Sequence, residues 1–284
     1  MDSTSAQPAA ASPEWFDDNR RNWDDRAAVH VASGYGIQAL IDDPQEIPDT
    51  LAPDLPYLGD LTGASVIHLQ CHLGTDTIGL KRQGAGRVVG IDLSGESLRR
   101  ARELAAQCSA DIEYVESNVY DARAAVDGEF DVVFSTLGVL CWLPDVTAWA
   151  QVVASLLAPG GTFLIRDDHP FFMTIGDDVS AGLRVEQPYF QQAEPMTWED
   201  DSSYVDAPEA EPIQNTRNHQ WNHSLGEIIT ALLQAGLVID TVEETQHSAW
   251  ARWPELMIED EHGYRLRDNP ERLPLQFRIT AHKP

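Results

Sequence analysis

The chain has 284 residues, 43% of them hydrophobic, which is enough for one enlarged globular domain with a full core. Its formal net charge of −27 at pH 7 argues against nucleic acid and anionic membranes as partners, because an acidic surface repels phosphate groups. No apolar run could span a bilayer, the N-terminus lacks a basic region followed by an apolar stretch, and the three cysteines have no metal-ligand spacing, so we expect a cytoplasmic protein.

The N-terminal part lies outside the regular pattern of the rest. Residues 1–12 are small, polar and rich in Pro and Ala, so we expect them to be disordered. From residue 13 to about 31, Trp and Ala recur on one side at helical spacing, and Pro-rich connections follow. This pattern predicts a helix and then a meandering loop.

Strands and helices then alternate. The predicted strands share a run of mainly apolar residues and are SVIHLQ, RVVGID, DIEYVES, FDVVFST and TFLIRDD. The predicted helices between them are DTIGLKRQG, SGESLRRARELAAQC and DVTAWAQVVASLLAPGG. Such alternation implies right-handed crossovers and a parallel sheet with helices on both faces.

The alternation stops after Asp168. Residues 170–220 form a long insertion, followed by a helix (SLGEIITALLQAG) and a strand (LVIDTVEE). A second insertion, 246–270, precedes a last strand, PLQFRITAHK. Connections this long usually act as lids or binding loops.

The loop after the first strand is the expected ligand site, because open α/β sheets bind ligands beyond the carboxyl ends of their strands. This loop, within VIHLQCHLGTDT, contains a single glycine, Gly74. Asp92 ends the second strand, where an acid can accept hydrogen bonds from both hydroxyls of a ribose. By themselves these two residues are also compatible with a nicotinamide cofactor.

The full set of motifs resembles the class I S-adenosylmethionine-dependent methyltransferases. The motifs are VIHLQCHLGTDT, VVGIDLSGESLRRARE, EYVESNVYDA, FDVVFSTLGVLCWLPD and LLAPGGTFLIRDDHPF. NWDDRAAVH and QWNHSLGEIITALLQAGL are similar to a bacterial branch of small-molecule methyltransferases, whose first motif reads LQCHFG rather than DLGCGTG. The resemblance covers nearly the whole chain beyond residue 13.

This resemblance implies an α/β, Rossmann-like fold with a seven-stranded, mostly parallel sheet, an antiparallel last strand and helices on both faces. Residues 13–284 would form one domain, with an N-terminal helical lid (13–60), a cofactor-binding half (61–170) and a substrate-side half (171–284) that carries insertions after strands 5 and 6. S-adenosylmethionine would be the methyl donor and S-adenosylhomocysteine the product.

The resemblance also implies the residues that contact the cofactor. Gly74 matches the last glycine of the first motif, Asp92 matches the ribose-binding acid, and Thr136 begins the loop beneath the transferred methyl group. The remaining positions matched at this edge of the sheet are Gln70, His72, Thr75, Leu93, Asn118 and Val119.

The first motif departs from the family pattern. His68 replaces the usual acid, and Gln70 and His72 replace the first two glycines. Since the acid helps to orient the amino group of the cofactor, we expect the N-terminal helix to compensate, with Arg26 binding the methionyl carboxylate and Trp23 covering the pocket. The alternative is that Trp23 is a core anchor and Arg26 forms a surface ion pair.

The acceptor is less well defined. The segment STLG stands where DNA and protein-amide methyltransferases carry Asn- or Asp-Pro-Pro-Tyr/Phe, which argues against both classes. Asp167 and Asp168 lack a third metal ligand at suitable spacing, so no metal is expected. The tryptophans lie mostly outside the predicted sheet, and they favour a planar or partly apolar acceptor unless they only pack the insertions onto the core.

His169 and His223 are candidate general bases, and Tyr35 is a candidate to orient one. Either histidine could instead cap a turn or bridge to a carboxylate. The predicted acceptor-binding residues are Leu137, Tyr189 and Trp221. The five histidines expected to be structural are His30, His219, His247, His262 and His282.

The sequence thus predicts a small-molecule methyltransferase for an aromatic or heterocyclic acceptor, in bacterial secondary metabolism. The alternatives are an NAD(P)-dependent oxidoreductase and a non-catalytic binding protein with the same fold. The sequence leaves the acceptor, the methylated atom and the oligomeric state open.

Overall fold

The structure is a computed structural model and describes residues 12–33, 35–205 and 207–284. The predicted disorder of the N-terminus falls on residues outside this range, apart from Ser12, which precedes the first helix. The helices are α1 (Pro13–Ala32), α2 (Ile37–Asp42), α3 (Leu55–Leu58), α4 (Thr75–Arg82), α5 (Gly95–Gln107), α6 (Ala122–Ala125), α7 (Val146–Leu156), α8 (Pro170–Met173) and α9 (Leu225–Gln234). The strands are β1 (Ser65–Leu69), β2 (Arg87–Asp92), β3 (Glu113–Glu116), β4 (Phe130–Ser135), β5 (Leu157–Asp168), β6 (Met196–Glu199), β7 (Arg217–Gln220), β8 (Val238–Thr245), β9 (Met257–Asp260), β10 (Gly263–Leu266) and β11 (Gln276–His282).

Seven strands form the central sheet in the order β3-β2-β1-β4-β5-β11-β8. The strands from β3 to β5 are parallel, while β11 runs antiparallel to both of its neighbours. The predicted fold class is therefore confirmed, including the antiparallel last strand.

Helices cover both faces of the sheet. One face carries α7 and α9, whose apolar sides pack on alternate strand residues such as Ile67 and Phe163. The other face carries α4 and α5, and the strand residues on that side include Val66 and Leu164. Because successive strand residues point to opposite faces, a fully apolar strand is buried on both sides.

Two helices begin where capping residues predict it. The Oγ of Ser94 accepts a hydrogen bond from the backbone N–H of Ser97 at 3.0 Å, which starts α5. Ser224 and Glu227 form a reciprocal capping box at the start of α9. These bonds satisfy N–H groups that have no partner inside the helix.

The fifth strand begins earlier than the sequence pattern predicts. The sequence predicts a helix that is ended by the Pro-Gly-Gly at 159–161 and a strand from Thr162, whereas α7 ends at Leu156 and β5 begins at Leu157. Pro159 lacks a backbone N–H and cannot extend the helix. Leu157 already pairs with Phe130 of β4, so the Pro-Gly-Gly segment belongs to the strand rather than to the end of the helix.

The predicted lid, 13–60, consists of two parts. Residues 51–61 pack through leucines on one face of the sheet rather than over its edge. Asp54, which is fully buried, binds Arg166 of β5 at 2.9 Å and Arg278 of β11 at 2.9 Å. At the carboxyl edge of the strands, α1 contributes Asp24 and His30, which contact Ser94 and His72.

The two insertions contain regular structure. The first holds α8 and the antiparallel pair β6–β7, and the second holds the antiparallel pair β9–β10. Apolar residues of both insertions share one core cluster, in which Phe172 and Trp253 lie 5.1 Å apart between ring centroids. The insertions therefore pack on each other, and the first also contacts α1 through β7. Among the helices that the structure describes, none is long and apolar enough to cross a membrane.

Candidate active site

Asp92 lies at the carboxyl end of β2, with its carboxylate held by the turn after β1. Its Oδ2 accepts from the backbone N–H of His72 at 2.8 Å, and its Oδ1 accepts from that of Ser94 at 2.9 Å. Burial, together with the charge of Asp24 on α1, raises the pKa of Asp92 to about 6, against the hydrogen bonds from Ser94 and His72. Each carboxylate oxygen of Asp92 keeps a lone pair that can accept a hydrogen bond from a hydroxyl group. The next residue, Leu93, is half-buried.

The turn after β1 keeps the backbone of a glycine-rich loop although two of its residues are not glycine. Gln70, His72 and Gly74 all have left-handed φ angles, of 57°, 48° and 72°. A side chain in this region of φ and ψ is uncommon and costs energy. A Cβ at Gly74 would collide with the ring of Tyr114, so this position requires glycine for packing as well. The substitutions in the first motif therefore leave its backbone path intact.

His72 fills the space beside Asp92 with an imidazole ring that is bonded on both sides. Its Nδ1 lies 3.0 Å from Ser97 Oγ, and its Nε2 lies 2.7 Å from His30 Nδ1. The other nitrogen of His30 lies 2.9 Å from Ser203 Oγ in the first insertion. Burial lowers the pKa of His30 to about 3 and that of His72 well below its usual range, so both rings are neutral. This hydrogen-bonded row connects α5, the turn, α1 and the insertion.

Aromatic rings cover this row from the lid side. The ring of Trp23 lies 5.0 Å from that of His72, and Tyr35 stacks on His30 with a centroid distance of 5.2 Å. The hydroxyl groups of Tyr35 and Tyr204 are 2.9 Å apart. Burial raises the pKa of Tyr35 to about 12, so this phenol stays protonated at neutral pH.

Arg26 lies on the same side of α1 and is 6% exposed. Its Nε donates to Asn22 Oδ1 at 2.7 Å, while its Nη2 is 3.7 Å from Asp200 Oδ2. Arg26 is thus a buried guanidinium with one loose ion pair, rather than the surface ion pair of the alternative interpretation.

The remaining cofactor positions lie along the same edge. Asn118 Oδ1 accepts from the N–H of Tyr120 at 3.1 Å, which leaves only its NH₂ group for a ligand, and the next residue, Val119, is buried. Thr75 is the first residue of α4. Thr136, directly after β4, donates through Oγ1 to Asp76 Oδ2 at 3.2 Å.

The acceptor side contains a cavity of about 30 Å³ lined by loop residues after β4 and β5 and by the segment before α9. Trp221 and His223 line it, and each is 2% exposed. His223 Nε2 donates to the carbonyl of Leu143 at 2.7 Å. Within the described residues, His223 Nδ1 and Trp221 Nε1 have no hydrogen-bond partner. The cavity therefore offers one acceptor and one donor to a small polar group.

His169 occupies a different position. Its Nδ1 accepts from the N–H of Phe171 at 3.0 Å and so caps α8. Its Nε2 lies 2.8 Å from Glu244 Oε1 without the alignment of a hydrogen bond. Burial lowers the pKa of His169, against the effect of Glu244. Unlike His223, His169 does not line the cavity.

Two further predicted acceptor residues lie near this region. The hydroxyl of Tyr189 accepts from the N–H of Leu225 at 3.3 Å, which links the first insertion to α9. Leu137 is half-buried in the loop after β4. The structure thus brings Trp221 and His223 to one cavity and places Tyr189 at the start of α9.

Asp167 and Asp168 are anchors of loops. Asp167 accepts from the N–H groups of Gly138, Val139 and Leu140 at 2.6 to 3.2 Å. Asp168 Oδ2 accepts from the indole N–H of Trp250 at 3.1 Å. Among the described residues, no group of three or more His, Cys, Asp or Glu side chains is arranged to hold a metal ion.

Comparison with known proteins shows similarity to methyltransferases. Residues 66–161 match the family model described as "Methyltransferase domain". The curated relatives include ubiquinone biosynthesis O-methyltransferases, of which that of Cronobacter sakazakii is 31% identical over 44% of this chain and 48% of its own length. That of Xanthomonas oryzae pv. oryzae is 34% identical over 44% of this chain and 53% of its own length. The chain spans about half the length of the curated relatives it matches.

Residues 66–161 are thus similar in sequence to a methyltransferase domain, and the chain resembles the class I S-adenosylmethionine-dependent methyltransferases.

Solved structures extend the likeness of fold beyond this domain. An S-adenosylmethionine-dependent methyltransferase from Mesorhizobium loti aligns with a TM-score of 0.55 at 22% identity, over 82% of this chain and 98% of that one. One from Clostridium acetobutylicum ATCC 824 aligns with a TM-score of 0.57 at 12% identity, over 83% of this chain and 90% of that one. At these identities the likeness shows the fold alone, and that fold includes the antiparallel β11.

S-adenosylmethionine is the methyl donor of this class, and the residues of the methyltransferase domain fit it. Asp92 offers two oxygens to a ribose, at the end of the strand where such an acid is required. The Oε1 atom of Gln70 is buried and has no partner within the described residues, so an acceptor is free at the same edge. The family match and the sheet order favour this cofactor over the nicotinamide alternative.

The sequence did not indicate two of the contacts at this site. His30, which was expected to be structural, has its Nδ1 at 2.7 Å from His72 Nε2. Its spacing from Trp23 and Arg26, seven and four residues along one helix, places all three on the same side and was a usable signal. Asp76 gave no such signal, since it resembles any acid in the first turn of a helix.

Proposed function

We propose that the chain transfers a methyl group from S-adenosylmethionine to a small-molecule acceptor of aromatic or heterocyclic character, in bacterial secondary metabolism. The observation that carries this proposal is the Asp92 carboxylate, held by two N–H groups at the end of β2 within a methyltransferase domain. The net charge of −27 supports a small acceptor over nucleic acid. A cytoplasmic location is consistent with three free cysteines.

The cofactor would lie between the sheet edge and α1. Asp92 would bind the ribose, and Asn118 with Val119 would meet the adenine. Arg26 is suited to the methionyl carboxylate, because guanidinium binds carboxylate through two parallel hydrogen bonds and its present partner is 3.7 Å away. Trp23 would close the pocket from the lid side.

The chemistry is an in-line displacement. When bound, S-adenosylmethionine supplies an electrophilic methyl group on a sulfonium, and the carbon–sulfur bond breaks toward sulfur as the acceptor's lone pair bonds to carbon. The chain contributes position and exclusion of water, through the loop after β4 beneath the methyl and the aromatic rings of the lid above it.

His223 is the better placed of the two proposed bases for an acceptor that must lose a proton. Its Nε2 hydrogen is committed to the carbonyl of Leu143, so the free lone pair is on Nδ1, which has no partner within the described residues. Burial lowers the pKa of His223, which keeps the ring neutral at pH 7. Trp221 beside it can donate to the acceptor, with Leu137 and Tyr189 contributing to the surrounding surface. His169 uses the equivalent lone pair to cap α8.

Calorimetry tests the cofactor assignment. We expect S-adenosylhomocysteine to bind and NAD not to bind. Asp92→Asn should weaken S-adenosylhomocysteine by about tenfold or more, because it removes charge-assisted hydrogen bonds to the ribose. Asp240→Asn, at an exposed acid on β8, is the matched control and should bind as the wild type does. Unchanged affinity in Asp92→Asn would contradict the placement of the cofactor.

A transfer assay tests catalysis. Protein with methyl-labelled S-adenosylmethionine should label at least one member of a panel of phenols, indoles and aromatic amines. On that acceptor, His223→Gln should lower the single-turnover rate by about 10²–10⁴-fold while His169→Gln changes it little. A protein that binds the cofactor and labels nothing would support the non-catalytic alternative.

A further inference from the structure

A buried carboxylate lies close to the position where the family's usual acid is missing. His68 occupies that position, and its ring is 2% exposed, with Nδ1 at 2.9 Å from Thr77 Oγ1. Burial lowers the pKa of His68 to about 4, so the ring is neutral. His68 therefore cannot supply negative charge, but Asp76, in the first turn of α4, can.

Asp76 is directed to the cofactor edge of the sheet. It is 7% exposed, and its two oxygens accept from the hydroxyls of Thr136 and Thr50. Thr136 begins the loop that is expected beneath the transferred methyl group. The bond to Thr136 therefore places the Asp76 carboxylate at the carboxyl end of β4.

The surroundings of Asp76 do not neutralise its charge. Both hydrogen-bond partners are neutral hydroxyls, and Arg166, whose charge acts on it, is already paired with Asp54. Burial raises the pKa of Asp76, against the effects of Thr50, Arg166 and Thr136. A buried carboxylate in this state gains from a cationic partner.

Other acceptors at this edge suit the same cation. The buried Gln70 Oε1 has no partner within the described residues, and the amide N–H of Gln70 is used by the carbonyl of Val139 at 3.0 Å. An ammonium group has three donors and no acceptor, so it requires an environment of this kind. Arg26, on the lid side, has the opposite preference and suits a carboxylate.

We propose that Asp76, assisted by Gln70, binds the ammonium group of the cofactor's methionyl part and replaces the acid absent at position 68. This proposal rests on the proposed function and deepens it. It assigns the two charges of the methionyl group to opposite sides of the pocket, with the ammonium at α4 and the carboxylate at Arg26.

Calorimetry with three ligands tests it. The ligands are S-adenosylhomocysteine, its deaminated analogue with hydrogen in place of the ammonium, and 5′-methylthioadenosine, which lacks the amino-acid part. The wild type should prefer S-adenosylhomocysteine over the deaminated analogue by about tenfold or more. Asp76→Asn should lose this preference and keep its affinity for 5′-methylthioadenosine. Asp49→Asn, at an exposed acid in the adjacent loop, should behave as the wild type does.

The outcomes separate this proposal from the assignment of the cofactor. An Asp76→Asn protein that keeps the preference, or a wild type that shows none, would overturn the role of Asp76. An equal loss of affinity for all three ligands in Asp76→Asn would show that Asp76 only supports the fold. Thermal melting of this protein and of a second variant, Asp76→Ser, tests whether the fold is affected. Failure of the wild type to bind S-adenosylhomocysteine, or normal binding by Asp92→Asn, would overturn the proposed function itself.

Discussion

The methyltransferase domain and the lid over it are assembled by different kinds of contact. From β1 to β5, neighbouring strands are joined by ladders of backbone hydrogen bonds, and the helices pack on them through apolar side chains. The helix α1, in contrast, is joined to β7 and the loop before it by polar side chains. Asn19 donates to the carbonyl of His219 at 2.9 Å and accepts from its N–H at 2.8 Å, as a neighbouring strand would.

Other polar side chains on the same side of α1 repeat this arrangement. Asn22 donates to the carbonyl of Asn215 at 2.7 Å, and one oxygen of Asp25 accepts from the N–H groups of Gln214 and Asn215. Asp18 lies 3.0 Å from His219 Nε2. The difference between the two regions teaches that the domain is held by many cooperative contacts, whereas α1 is joined to the first insertion by a smaller set of polar hydrogen bonds.

The largest expected effect comes from the buried ion pairs that join 51–61 to the domain. Asp54→Ala removes a fully buried carboxylate and leaves Arg166 and Arg278 without their partner. We expect the free energy of unfolding to fall by about 3–5 kcal/mol, measured by urea denaturation. If this segment were a mobile part of the lid, the loss would be far smaller.

The control for this prediction is an exposed pair on the same sheet. Asp240 binds His282 at 2.9 Å, with both side chains about two-fifths exposed. Asp240→Ala should therefore cost less than about 1 kcal/mol, because solvent screens surface pairs. Similar losses for Asp54→Ala and Asp240→Ala would refute the assignment of 51–61 to the cooperative core.

A smaller effect is expected from the lid bonds. Asn19→Ala with Asn22→Ala removes the side chains that pair with the backbone of the first insertion, and each lost bond costs about 1–3 kcal/mol of docking free energy. Hydrogen exchange should quicken at α1 and β7 while β1, β4 and β5 keep their protection. Affinity for S-adenosylhomocysteine should fall, since Trp23 and Arg26 are on the same helix.

The exposed pair between Arg20 and Asp17, at 4.0 Å on α1, provides the control for the lid. Asp17→Ala should leave exchange and affinity unchanged, because this pair does not reach the insertion. Faster exchange throughout the sheet in the double variant would mean that lid and domain are one cooperative unit, contrary to the comparison.

The same difference explains what could be predicted from the sequence. The alternation of strands and helices and the position of Asp92 at the end of β2 were predictable, because apolar runs, caps and family motifs are local patterns. The pairing of Asn19 with His219 was not, since a polar residue on a helix has no periodic signal for a partner 200 residues away. His30 was missed for the same reason, because its partners His72 and Ser203 come together only in the folded chain. The end of α7 was misplaced because the strand partner of Leu157 is also distant in sequence.

The smallest expected effect concerns pH at Asp92, where the two regions meet. Asp24 of α1 accepts from Ser94 Oγ at 2.7 Å, which places a second carboxylate near Asp92. Burial and this charge raise the pKa of Asp92 to about 6 in the folded chain. The protonated carboxyl therefore contributes stability that is fully present below the ordinary pKa of 3.8 and is lost as the pH rises through about 6.

Ribose hydroxyls bind the ionised form of Asp92, so a proton on it competes with the cofactor. With a pKa of about 6, only one molecule in about ten is ionised at pH 5, and S-adenosylhomocysteine should bind about tenfold more weakly there than at pH 8. Asp92→Asn should bind S-adenosylhomocysteine weakly at both pH 5 and pH 8, so its affinity should not depend on pH in this range. Burial also raises the pKa values of Asp76 and of Asp167, the latter to about 6. A pH dependence that persists in Asp92→Asn would therefore assign the effect to one of these two carboxylates instead. Asp24→Asn sharpens the test, because removing the lid's charge should move the midpoint of the wild-type slope to lower pH.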